Sequence, residues 1–120
     1  MGTDDSRLNI LIIGAGMYVS GKGTEEYGTI LPALCEWSRQ TREPGKIYLA
    51  ATSRDSALAA QKKLAELNAL TGTALAVDFF PKEGRDKHCY QSLLNSIPKP
   101  ACAIIVTPDH LHSEMTLACF

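Results

Sequence analysis

A run of glycines is the first stretch whose residue types and spacing chemistry could use. Gly14-Ala15-Gly16 follows directly on the near-continuous apolar residues Leu8 to Ile13 (LNILII). At such a junction glycines let the backbone turn tightly and approach a pyrophosphate without side-chain obstruction. Gly14, Ala15 and Gly16, with Met17 and Tyr18 after them, are therefore candidate dinucleotide contacts. The match to G-x-G-x-x-G is incomplete, because Val19 stands at the sixth position. Gly21, Gly23 and Gly28 follow. They make residues 17–27 an enlarged loop, with Gly28 or a neighbour letting the next helix pack close to the sheet. The plain alternative is a glycine-rich turn with no ligand.

A second chemistry overlaps the first. Gly16 to Thr24 (GMYVSGKGT) contains the G-x4-G-K core of a phosphate-binding loop and is similar to the GKGT of nucleoside monophosphate kinases. Asp78, after the apolar Ala74 to Val77, imitates the magnesium-side acid of such proteins. A phosphate-binding loop must run straight into a helix, however, and Gly28 and Pro32 would then fall in its first turns. The helix more naturally begins near Thr29, where Pro32 is tolerated.

The second strand ends Ala51-Thr52-Ser53-Arg54. In a dinucleotide site an acid here accepts hydrogen bonds from the adenosine ribose 2′-hydroxyl, whereas an arginine favours a 2′-phosphate. Ser53 stands where the acid is expected and Arg54 follows it, which favours NADP over NAD; a shift of one residue would bring in Asp55 and restore the acid. Tyr18 and Lys22 lie within the enlarged loop, where phosphate contact is conceivable but an exposed lysine is ordinarily solvated. His110 and His112 point to different helix faces, and no cysteine or carboxylate completes a zinc pattern, so no metal site is expected. His88 is expected to be solvated. Cys35, Cys89, Cys102 and Cys119 form no CxxC pair and are expected to be buried free thiols.

These residues need positioning elements, and the hydrophobic pattern supplies them. After the first strand, Ile30, Leu34 and Trp37 recur at helical spacing, and Thr-Arg-Glu-Pro-Gly (41–45) closes the segment. Lys46 to Thr52 (KIYLAAT) reads as a strand. Ser53 to Asn68 reads as a helix with Ala57, Ala60, Leu64 and Leu67 on one stripe, capped by Ser53 or Asp55 and ended by Gly72. Thr73 to Phe80 is a third strand, and Asp86 to Ile97 a helix carrying Cys89, Leu93 and Ile97. Ala101 to Thr107 is a fourth strand, and a last helix places Leu111, Met115 and Ala118 on one side. The βαβαβαβα order predicts an α/β, doubly wound parallel sheet, a partial Rossmann fold with strand order 3-2-1-4. Gly14 and Gly16 then sit at the C-terminal end of a central strand.

The chain has 120 residues, 45% hydrophobic and 21% charged, which predicts one packed domain. Twelve Lys plus Arg against thirteen Asp plus Glu give a formal charge of -1, without the basic field that nucleic-acid or anionic-membrane binding requires. The longest apolar run falls far short of the roughly 20 residues of a membrane span. Thr3, Asp4, Asp5 and Ser6 provide no basic leader, so the cytoplasm is the expected location.

Ile104 to Met115 (IIVTPDHLHSEM) resembles the v-x-T-P-x-x-x-H segment of the Gfo/Idh/MocA family of NAD(P)-dependent sugar and inositol oxidoreductases. With IIGAG after the first strand and LPAL in the first helix, the resemblance covers essentially the whole chain. It implies that Thr107, Pro108 and His112 lie beside the nicotinamide half of the cofactor. It also implies that the family's catalytic lysine, on a Glu-Lys-Pro strand, and its substrate domain lie beyond residue 120. The C-terminal part of the parent is thus expected to be missing, with turnover absent from these residues alone. A fourth strand left at an edge predicts a homo-oligomer. A non-enzymatic, dinucleotide-sensing regulator of the same family is the alternative.

Overall fold

The computed structural model describes residues 7–40, 45–107 and 112–119. Its elements are β1 (Asn9–Ile13), α1 (Met17–Ser20), α2 (Ile30–Gln40), β2 (Ile47–Ala50), α3 (Arg54–Thr71), β3 (Asp78–Phe80), α4 (Cys89–Ser96), β4 (Ala101–Ile105) and α5 (His112–Cys119). The strands form a parallel sheet in the order β3-β2-β1-β4. Ile12 of β1 lies opposite Leu49 of β2 and Ile104 of β4, in register across the sheet. Each strand is followed by helix before the next strand, because parallel neighbours cannot be joined by a hairpin.

Side chains alternating along a strand divide the core into two layers. Ile10 and Ile12 of β1, with Ile47 and Leu49 of β2, pack with Leu31, Leu34 and Cys35 of α2 and Ala57, Ala60, Leu64 and Leu67 of α3. Leu11, Ile13 and Ala50 face the other way, onto Cys89, Tyr90 and Leu93 of α4 and Met115 of α5. Burial on both faces is why Ile10 to Ile13 of β1 are apolar without interruption. The α3 boundaries follow from caps. The Ser53 hydroxyl accepts the Ser56 amide at 3.2 Å, and Gly72, with φ of 68°, closes the last turn by donating its amide to the Asn68 carbonyl.

Several expectations need correction. The enlarged loop contains a helical turn, α1, and Gly28 packs against that turn instead of the sheet: a Cβ there would lie 2.7 Å from the Met17 carbonyl oxygen. The third strand is confined to Asp78–Phe80. Residues 73–77 are held outside the ladder by Asn68, whose side-chain amide donates to the Leu75 carbonyl at 3.0 Å and accepts the Leu75 amide at 3.1 Å. These bonds replace the ones a neighbouring strand would offer. Cys35 and Cys89 are buried, but Cys102 and Cys119 are exposed, since β4 ends the described sheet and, among its described side chains, α5 turns only Met115 firmly inward. Ala118 is exposed with them, and Leu111 lies outside the described residues. Among the described residues no helix is long and apolar enough to cross a membrane.

Candidate functional site

The strand order reverses beside β1: the chain proceeds outward from β1 to β2 and β3, then returns to place β4 on the other flank. The helices that follow β1 and β4 cover opposite faces of the sheet, which leaves a crevice at the C-terminal ends of these paired strands, the position where open α/β sheets accept ligands. The glycine turn floors it. Gly14 has φ of +126°, and a Cβ there would meet the Val106 carbonyl oxygen at 2.2 Å, so only glycine lets β1 turn this close to β4. The turn is laced to both neighbours, with the Gly14 amide donating to Ala50 and the Val106 amide to Ile13, each at 2.9 Å.

Gly16 serves differently. It N-caps α1 with φ of -85°, and a Cβ added there would find nothing within 4 Å. Its missing side chain leaves space open above the turn. The amides of Val19 and Ser20 donate to the Gly16 carbonyl at 3.1 and 3.0 Å, which winds α1 so that the Met17 and Tyr18 amides precede any intrahelical acceptor. Both of those residues are exposed at the rim.

A cleft of about 190 Å³ results, lined by Gly14, Ala15, Gly16, Lys22, Ala51, Thr52, Ser56, Val106 and Thr107. Thr107 is among the lining residues, and its hydroxyl donates to the Met115 sulfur at 3.4 Å, tying the end of β4 to α5. Pro108 lies outside the described residues, and His112 opens α5. Ser53 and Arg54 do not line the cleft. Ser53 is buried as the α3 cap, and the Arg54 guanidinium donates to the carbonyls of Phe79 and Pro81 at 3.4 and 3.2 Å. Thr52, Ser56 and Lys22 take their place on that side. Ser56 carries a weak sequence signal, a hydroxyl three residues into a capped helix; Lys22 carries a stronger one, as the lysine of the G-x4-G-K core within the glycine loop.

The phosphate-binding-loop reading loses its geometry here. Its glycine-lysine segment is occupied by α1 and a turn, and α2 starts only at Ile30, beyond Thr24. Asp78 begins β3 instead of ending it, level with Leu11 in the middle of β1 and two strands away from it, and pairs with Lys82. A larger cavity of about 320 Å³, near the start of β4, is lined mainly by apolar residues such as Leu11, Leu94 and Ile97, with Lys99 and two cysteines at its margin. It lacks the convergent polar groups that orient a ligand. No family model matches the chain, and neither the curated proteins nor the solved structures include a match to it.

Proposed function

We propose that this chain is the dinucleotide-binding part of an NAD(P)-dependent oxidoreductase of the Gfo/Idh/MocA kind, whose whole protein acts on the CH–OH group of a sugar-, polyol- or inositol-like substrate. The observation carrying the reading is the Gly14–Gly16 turn at the reversal of strand order, with open space over Gly16. The residues present suit such a ligand. Gly14, Ala15 and Gly16, with the amides of Met17 and Tyr18, would hold the pyrophosphate. Thr52 and Ser56 would face the adenosine ribose, and Thr107 the nicotinamide half, joined by Pro108 and His112 on the family resemblance. At about 190 Å³ the cleft is smaller than the roughly 300 Å³ at which pockets for whole small ligands begin, so it seats one portion of a dinucleotide while the rest runs across the strand ends.

Bound nicotinamide would supply the hydride chemistry. The role of this chain is to bind and orient, and none of its residues is assigned a catalytic step. Isothermal titration of the chain with NADPH, NADH and Mg-ATP tests the reading. Saturable binding of the dinucleotides at one site per chain, without Mg-ATP binding, is the expected result. Binding of Mg-ATP alone, or of none of the three, overturns it.

A further inference from the structure

We infer that Lys22 reads the adenosine 2′-phosphate and sets a preference for NADP over NAD, an inference that rests on the dinucleotide reading of the cleft. Among the described residues lining the cleft, Lys22 alone carries a charge. Its ammonium donates to the Ser56 hydroxyl at 3.2 Å, which brings it from the first βα connection to the opening turn of α3. That turn follows the end of β2, where a dinucleotide fold places the adenosine ribose 2′ position. Thr52 and Ser56 add hydroxyls beside the ammonium.

The Arg54 guanidinium and three of the opening amides of α3, which also bring positive potential to this corner, are already engaged. The Arg54 side chain is turned under the helix onto two carbonyls of the β3 end. At the start of α3, the Arg54 amide donates to Gly84 at 2.7 Å, the Ser56 amide to the Ser53 hydroxyl, and the Ala57 amide to the Ser53 carbonyl at 3.0 Å. A phosphate arriving here therefore meets a side-chain cation more readily than helix amides. Arg85, whose backbone bridges to Ser53, and Asp55 are exposed and outside the cleft lining.

Lys22 is also held in place by its loop. Gly21 closes α1 with φ of +80°, and a Cβ there would lie 1.9 Å from the Glu26 carbonyl oxygen, so the loop folds tightly back on itself. The Thr24 hydroxyl donates to the Gly21 carbonyl at 2.8 Å. From α3, Lys63 donates to the carbonyls of Thr24 and Glu26 at 2.8 and 2.7 Å and lies over the Tyr27 ring, 5.0 Å from its centroid. The Thr29 amide then bonds the Tyr18 carbonyl at 2.7 Å. The loop is pinned to both α1 and α3, with Lys22 at its edge over the cleft. Binding exchanges one neutral hydroxyl partner of the ammonium for phosphate oxygens, a charge-assisted contact.

The test compares NADPH with NADH, and 2′,5′-ADP with 5′-AMP, on the full chain and on Lys22→Gln, Lys22→Arg and Arg54→Ala, at fixed salt. The unsubstituted chain is expected to favour each 2′-phosphorylated ligand by about tenfold or more. Lys22→Gln abolishes the preference by weakening NADPH while leaving NADH unchanged, Lys22→Arg retains it, and Arg54→Ala retains it. Lys22 is exposed, so its variants are expected to fold, and circular dichroism checks that they do. Equal weakening of NADPH and NADH by Lys22→Gln, an unchanged preference in that variant, or a preference lost in Arg54→Ala overturns the assignment while dinucleotide binding stands. Failure of both dinucleotides to bind the unsubstituted chain overturns the dinucleotide reading and this inference with it.

Discussion

Two alanine substitutions in one turn should separate a glycine needed for the fold from one needed for the ligand. Gly14→Ala forces a side chain into φ of +126° with its Cβ 2.2 Å from a backbone oxygen of Val106. That oxygen cannot retreat cheaply, because the Val106 amide is bonded to Ile13 at 2.9 Å and holds the end of β4 against β1. Backbone strain of about 1–3 kcal/mol, with loosening of one such hydrogen bond at about 1 kcal/mol, gives a loss of about 2–4 kcal/mol. For a domain this size that lowers Tm by about 8–16 °C, at about 4 °C per kcal/mol. At Gly16 the φ of -85° suits any residue and nothing lies within 4 Å of the added methyl. The helix cap weakens by up to about 1 kcal/mol, and the stiffer unfolded chain returns about 0.4–1 kcal/mol, so stability should change little.

Binding should show the contrast. The Gly16→Ala methyl occupies the open space that the proposed function gives to a phosphate, and on that reading NADPH affinity should fall by about tenfold or more, a change of about 1.4 kcal/mol at least. Thermal melts by circular dichroism, urea titrations and calorimetric NADPH titrations on all three proteins form the assay. A Gly14→Ala protein as stable as its parent would refute the geometry of the turn. A Gly16→Ala protein that binds NADPH as its parent does would refute the site.

Three further outcomes follow from other contacts. Lys63→Met removes both carbonyl bonds to the loop and should increase proteolysis between residues 21 and 28, with a smaller loss of NADPH preference than Lys22→Gln causes; an unchanged cleavage pattern would count against the pinned loop. Asn68→Ala leaves both backbone polar groups of Leu75 without their present partner, and a urea midpoint corresponding to about 2–4 kcal/mol of lost stability is expected, with ligand affinity unaltered; a change under about 0.5 kcal/mol would show that water satisfies them. Burial raises the thiol pKa of Cys89, Cys102 and Cys119 above 9.0, with Asp86 also contributing at Cys89, so each carries less thiolate at neutral pH than an unperturbed thiol. Alkylation of exposed Cys102 and Cys119 should therefore climb through and beyond pH 9, while Cys35 and Cys89 react only on unfolding. Native labelling of Cys89 as fast as Cys102, read by mass spectrometry, would contradict this packing.

The parts of this fold legible in the sequence are those where one physical demand dominates a segment. Ile10 to Ile13 is apolar on both alternating faces because helices cover both, and the Ser53 and Gly72 caps answer backbone groups that any isolated helix leaves unpaired. The parts that escape are those where a distant side chain supplies what a local pattern appears to. Thr73 to Val77 has the composition of a strand, yet Asn68, within the preceding helix, takes the Leu75 backbone bonds and shortens β3. At the other, C-terminal end of β3, the carbonyls of Phe79 and Pro81 face the first turn of α3, where Arg54 meets them. An arginine in sequence position to read a 2′-phosphate is thereby drawn into holding a strand end. The cation facing the cleft comes instead from the connection between α1 and α2, carried there by a loop whose glycines satisfy their own turn and whose outer rim is held by Lys63. Spacing from the glycines picks out that lysine but not its place over the cleft, because the cross-chain bonds that hold it and its loop involve Ser56 and Lys63, more than thirty residues away, and only the folded sheet brings them together.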